Sequence, residues 1–438
     1  MLNFKKGQKE FFYLLPILFI YVGLIFIVGR DKPIGDGERY WAFAENILNG
    51  YYANKDMSPG FLWNGPGYPF VIAILRLFNF STFQITLFNS FFIYLSSVFF
   101  LKTSNYYLSF KKSLFLSYFM IASNLTLPIY ATYLYTEPIA LFLVTLILYF
   151  IFKLFKTDKN KYIIYSSIAF TFLILTKVIF AYYLTLLIIL LFFLKDKFIR
   201  KIFLTLVLSL IFTLPYQIYT YNLTQKVFYW TDAGGDLLYW ISSTEEIDLG
   251  QWQEKNTQLL KETIKDKYAN LNPELLNSLN DKIFENRNKV HGAFLDSIKN
   301  LNGIEKDIAL KHKALNNIKN NKLIFVKNWL FNVSRLFTGS PTSLYFKPPN
   351  TPIRSLFNIT LSSFLFFSYL ISVFIYILNP KRFDKYVLVI FLFFIIYLGG
   401  TSLLAVQSQR FLIPITPALF LFSSLVLNKN IKLNTKNG

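Results

Sequence analysis

The sequence predicts an all-α polytopic membrane protein, and three observations carry that expectation. Hydrophobic residues make up 54% of the chain and charged residues 16%, where an ordinary soluble domain has roughly 25% charged. The apolar residues are gathered in about ten runs, most of them near the ~20 residues that cross a bilayer as a helix. Lysine and arginine collect at the ends of alternate runs, the pattern of cytoplasmic loops.

The runs are Phe11–Gly29, Phe83–Leu101, Leu114–Tyr130, Pro138–Phe152, Tyr162–Thr176, Phe180–Leu194, Ile202–Tyr219, Ser355–Leu378, Tyr386–Leu404 and Phe411–Leu427. The first follows Lys5, Lys6 and Lys9 but has no small-residue cleavage site, so it reads as an uncleaved helix rather than a signal peptide. Basic clusters such as Lys153, Lys156, Lys159 and Lys161, or Lys195, Lys197, Arg200 and Lys201, then fall on one side. Both termini are expected in the cytoplasm, and the segments 30–82, 220–354 and 406–414 outside.

This divides the chain into an N-terminal transmembrane module (1–220), a mostly helical extracytoplasmic cap with an interfacial helix (221–354), and C-terminal transmembrane helices with a cytoplasmic tail (355–438). In the cap, Ile308, Leu315, Ile318 and Leu323 recur at helical spacing, and Lys327–Phe337 reads as the interfacial helix.

The net charge of +21 is distributed as topology signals rather than along one face, so nucleic acid is not an expected partner. With no cysteine and two histidines, His291 and His312, thiol nucleophiles, disulfides and Cys/His zinc sites are excluded or disfavoured. Chemistry must rest on carboxylates, lysine, arginine and backbone.

The outer segments hold such groups. In "GDGERYWAFAENIL", Asp36 opens a helix that lies along the membrane surface, with Arg39 one turn on; a helix N-cap is the plain alternative for Asp36. "NGPGYPF" fixes a turn with Pro66 and Pro69 and starts a second helix, or serves only as a connection. Glu137 in "YTEP" starts a span, as a catalytic acid or as a solvated helix-start acid. Lys177 interrupts an apolar stretch, as a phosphate partner or as a snorkelling lysine. Arg410 in "QSQRFLIPITP" suits a phosphate bidentately, or a lipid headgroup at the surface.

Together, an Asp-x-x-Arg-Tyr element (Asp36, Arg39, Tyr40), a Pro-Gly-Tyr-Pro turn (Pro66–Pro69), Thr-Glu-Pro (Thr136–Pro138) and a late Arg-Phe-x-x-Pro segment (Gln407 or Gln409, Arg410, Phe411, Pro414) resemble the GT-C superfamily of integral-membrane glycosyltransferases. The branch is that of the protein O-mannosyltransferases and the lipid A aminoarabinose transferase. "TDAGGDLLYW" resembles the Gly-Gly-x-x-Leu segment of bacterial members. The resemblance implies a GT-C fold in the bacterial cytoplasmic (inner) membrane and an active site on the outer side.

It further implies transfer of a sugar from a polyprenyl-phosphate donor to a lipid, glycan or protein hydroxyl. Asp36 is implied as catalytic base with Glu137 beside it. Arg39, Lys55, Lys177 and Arg410 would bind the donor phosphate, and Tyr40, Tyr68 and Gln409 would line the pocket. The Asp-Glu pair of the eukaryotic protein O-mannosyltransferases is absent, since Gly37 follows Asp36, and this counts against a protein acceptor. No metal ligands are assigned, although outer carboxylates leave room for a divalent metal as cofactor. A flippase or other transporter, and a polysaccharide polymerase or ligase, are the alternative functions.

Overall fold

A computed structural model describes residues 9–54, 56–244, 250, 272–275, 277–278, 281, 285, 288–338, 352–404 and 409–428. Among them there are helices and turns and no strand. Helices α1 (Lys9–Tyr13) and α2 (Leu15–Val28) precede the surface pair α3 (Asp36–Leu48) and α4 (Gly67–Leu77). The bundle continues with α5 (Thr82–Ser104), α6 (Phe110–Ala122), α7 (Leu127–Ala131), α8 (Glu137–Thr157), α9 (Lys161–Thr176), α10 (Ile179–Phe192), α11 (Lys197–Phe212) and α12 (Leu214–Thr224). Then come α13 (Gly234–Ile241), α14 (Ala293–Ser297), α15 (Gly303–Asn320), α16 (Lys322–Thr338), α17 (Pro352–Leu378), α18 (Lys385–Thr401) and α19 (Thr416–Leu427).

Helices occupy the positions of all the apolar runs, but fewer than ten are full spans. Among the described residues four helical stretches are long and apolar enough to cross a membrane: Thr82–Ser104, Glu137–Thr157, Thr360–Leu378 and Gln409–Leu427. The pair α11 and α12, bent by 46° at Thr213, makes a fifth if it is one span. The bend has a local cause, because Pro215 supplies no N–H to the preceding turn. The run Leu114–Tyr130 is divided between α6 and α7, with Pro128 near the start of the second. The runs that became α2, α9, α10 and α18 give apolar helices of 14–17 residues. Side chains such as Phe19, Ile27, Phe91 and Phe115 are exposed around the bundle, a surface suited to lipid rather than water.

The cap has its own small core of Tyr239, Trp240, Ile241, Ile298, Leu310 and Ala314. In α15 the buried positions are Gly303, Asp307, Leu310 and Ala314. Ile308, Leu315 and Ile318 lie on this helix as their spacing predicts, with Ile308 and Leu315 exposed. One of the buried positions is charged. Asp307 is fully buried because it receives the Gly235 N–H at 2.6 Å, the Tyr229 hydroxyl at 3.1 Å and Lys311 at 2.6 Å, and buried carboxylates require such partners.

Helix α16 bears two asparagines one turn apart. Asn328 donates to the carbonyls of Ile241 and Ser243, at the end of α13, and Asn332 to those of Ser402 and Leu404, at the end of α18. Helix C-termini leave carbonyls without intrahelical donors, and each amide meets two of them. Trp329, between them, donates to Gly399 at 2.9 Å.

The Pro-Gly-Tyr-Pro turn is locked against the end of α9. A Cβ on Gly65 would overlap the Leu175 carbonyl oxygen, and one on Gly67 would come within 2.7 Å of the Thr176 backbone nitrogen. We expect Gly65→Ala to lower stability by about 1–3 kcal/mol, the usual cost of overpacking. Thermal melting of the purified protein in detergent checks this, and an unchanged midpoint would mean that the turn can shift without loss.

Candidate active site

Gly35 precedes α3 with φ +59° and ψ −126°, a conformation that glycine adopts without a Cβ penalty. It leaves Asp36 as the first residue of the helix. The N-cap alternative for Asp36 is set aside, since Gly35 occupies that position and no side-chain cap bond forms. The Asp36 carboxylate turns outward from the helix and meets two guanidinium groups. Arg39 reaches Oδ1 from one turn along α3, and Nη1 of Arg410 lies 2.5 Å from Oδ2.

Arg410 stands in the tight helical turn Gln409–Ile415 that leads into α19. Its Nε donates to Oε1 of Glu137 at 2.7 Å, and Lys177 donates to the same oxygen at 2.8 Å. Glu137 opens α8, and Lys177 closes α9. Four separate parts of the chain thus deliver five charged groups to one place, at the end of the bundle where α8 and α19 begin and α9 stops.

The surroundings make these ion pairs strong. Glu137 is fully buried and the Lys177 side chain 10% exposed, while Asp36 keeps 22% exposure and Arg39 42%. The solvated alternative for Glu137 and the snorkelling alternative for Lys177 are accordingly corrected. Arg410 lies over the Tyr135 and Tyr130 rings at 4.6 and 5.4 Å, and Arg39 over Trp63 at 5.4 Å. Such stacking orients a guanidinium plane while its nitrogens remain in the ion pairs. Burial by itself would raise the pKa of Asp36; Arg410 and then Arg39 outweigh it and hold the carboxyl below its ordinary value.

Tyr40 and Tyr68 are buried and meet edge to face at 5.3 Å. Asn64 donates to the Tyr40 hydroxyl and accepts from Nε of Arg39, each at 3.3 Å. Gln409 is engaged elsewhere: its amide nitrogen donates to the Phe337 carbonyl at 2.7 Å and to Ser362 at 2.8 Å. It ties the turn to α16 and α17, a role that its place beside Arg410 in the sequence did not reveal. Lys55 lies outside the described residues. Among those residues no three His, Asp or Glu side chains gather as a metal would require.

Sequence reasoning missed Trp63, Asn64, Tyr130 and Tyr135, whose roles depend on packing between distant segments. It also missed how the cap grips the connection between α3 and α4. Asp232 accepts from the Gly60 N–H at 2.6 Å, Thr231 donates to the Trp63 carbonyl at 3.1 Å, and the Gly303 N–H donates to Met57 at 2.7 Å. Trp63 is thus supported from the cap while it carries Arg39.

No protein-family model matches the sequence, and no curated protein matches it either.

Asp232 provides a pH test of the cap contact. Burial pushes its pKa up to about 6 from the ordinary 3.8; the Gly60 N–H opposes this and the charge of Asp307 adds to it. The folded protein therefore holds this proton more tightly than the unfolded chain does. The stability so conferred is complete below the unfolded pKa and is lost as pH rises through the folded one. Asp232→Asn does not titrate, so its melting midpoint relative to wild type should climb between about pH 4 and pH 7 and then level off. The full effect is on the order of 3 kcal/mol, at about 1.4 kcal/mol per pKa unit. A difference that does not vary with pH would remove Asp232 from this role.

Proposed function

We propose that the protein is a membrane glycosyltransferase that moves a sugar from a polyprenyl-phosphate donor to an acceptor hydroxyl, with Asp36 as general base. One observation carries the reading: Asp36 is held between two arginines in a largely buried cluster whose ion pairs join three cations to two carboxylates. A surplus positive charge taken out of water is costly and favours an anionic ligand. Arginine forks match phosphate oxygens.

The donor's apolar chain would lie along the helix bundle while its phosphate enters among Arg39, Arg410 and Lys177. Asp36, held below its ordinary pKa by the two arginines, is a weak base as long as both grip it. A phosphate that draws the guanidinium groups toward itself releases the carboxylate. Asp36 then takes the proton of the acceptor hydroxyl as that oxygen bonds to the anomeric carbon from the face opposite the phosphate. The bond from that carbon to the phosphate oxygen breaks, its electron pair leaves with polyprenyl phosphate, and the configuration inverts. The three cations stabilise the charge gathering on the leaving group.

In this scheme Glu137 does not touch the reacting atoms. It positions Arg410 and Lys177 through its shared oxygen. The resemblance of Asp36-x-x-Arg39-Tyr40, Pro66–Pro69 and Thr136–Pro138 to GT-C glycosyltransferases supports the same chemistry and an extracytoplasmic location for this face.

The test is transfer of radiolabelled sugar from a panel of polyprenyl-phosphate sugars in membranes matched for expression. A positioned base contributes about 10²–10⁴ in rate, so Asp36→Asn should lose at least about a hundredfold in turnover. Undiminished transfer by that variant would remove Asp36 as the base. Arg410→Lys keeps the charge but loses the fork, and should raise the donor KM. Unchanged donor KM and turnover would place the phosphate elsewhere. Movement of a labelled lipid-linked sugar across vesicles, with no transfer from any donor, would favour a transporter.

A further inference from the structure

Of the four cations that follow α10, two are satisfied and two are not. Lys197 and Lys201 pair with Asp158, the residue closing α8, at 2.8 and 2.7 Å. The Lys195 and Arg200 side chains make no hydrogen bond or ion pair among the described residues. The neighbouring carboxylate, Asp196, caps α11 by accepting from the N–H groups of Phe198 and Ile199 at 2.9 and 3.1 Å.

Lys195 and Arg200 border a cleft of about 610 Å³ formed where α10 turns into α11. Leu191, Phe192, Phe193 and Phe203 form its apolar walls. Phe192 and Phe193 are 70% and 73% exposed, although each stands beside a helix that packs into the bundle. Exposed rings and unpaired cations lining one cleft match an amphiphile with a negative head. A soluble anion makes no use of the aromatic walls, and a zwitterionic lipid places little net charge against two cations.

The cleft is separate from the Asp36 cluster. Helix α10 begins beside Lys177 and runs 14 residues to Phe192, roughly 21 Å at 1.5 Å per residue. Asp158, at the far end of α8 from Glu137, marks the same opposite face.

We propose that this cleft binds an anionic phospholipid, its phosphate between Lys195 and Arg200 and an acyl chain along Phe192, Phe193 and Phe203. The site is independent of the glycosyltransferase reading and anchors the α10–α11 turn at the membrane surface opposite the Asp36 cluster.

Native mass spectrometry of the full-length protein in detergent, titrated with dioleoyl phosphatidylglycerol or dioleoyl phosphatidylcholine, tests it. Wild type should hold phosphatidylglycerol in preference to phosphatidylcholine. Lys195→Ala with Arg200→Ala should weaken that binding roughly thirtyfold, from the two lost surface charges. Lys111→Ala with Lys112→Ala removes as much charge from another loop and should leave the strongest phosphatidylglycerol adduct intact. The single variants Lys195→Gln and Arg200→Gln, each with a partial loss, serve if the double variant melts early. Equal binding of the two lipids, equal loss in both double variants, or displacement of the lipid by millimolar inorganic phosphate would each overturn the proposal.

Discussion

One carboxylate oxygen organises the charge cluster at the end of this bundle. Oε1 of Glu137 receives both Lys177 and Arg410, and by doing so fixes the end of α9 and the turn before α19 against the start of α8. Arg410 can then extend Nη1 to Asp36. Without that shared acceptor two cations would be buried against each other, an arrangement that low-dielectric surroundings make prohibitive. The arrangement of the surrounding rings follows from it, since Tyr130 and Tyr135 reach the end of the bundle on the segment just before Glu137.

The same economy of contacts joins the cap to the site. Asp232 is a buried acid that holds the backbone N–H of Gly60, and Asp307 does the same for Gly235 within the cap, so a carboxylate is among the few polar contacts by which the cap meets the connection between α3 and α4. A contact made by few strong bonds is specific in geometry. Its strength also depends on the protonation of Asp232, which titrates well above an ordinary aspartate.

Charge was the most legible feature of the sequence. Glu137, Lys177 and Arg410 could be singled out because each interrupts or borders an apolar run, where an ionisable group needs a partner, and Asp36 and Arg39 because they share a short motif at the start of a helix. Their pairing was not legible, because Glu137 and Arg410 are 273 residues apart and no local pattern encodes that distance. Periodicity located helices and failed on their quality. It ran one span through Asn124 and Pro128, where the chain breaks, and it gave no sign that Asp307 is the buried charge of α15, because an aspartate counts as polar in any such pattern. Gln409 shows a related limit: adjacency to Arg410 says nothing of which way an amide points.

The two asparagines of α16 tie together helix ends that belong to different parts of the molecule. Asn328 grips α13 in the cap, and Asn332 grips α18 in the bundle, from one face of one rigid rod. Leu404, the last carbonyl in that grip, lies six positions before Arg410 in the chain. The same helix reaches the charge cluster near its other end, where Gln409, the neighbour of Arg410, donates to the Phe337 carbonyl, so a tilt of the cap is passed along α16 to the turn that carries the guanidinium. Cap and charge cluster share a single lever whose fulcrum is Trp329 on the Gly399 carbonyl.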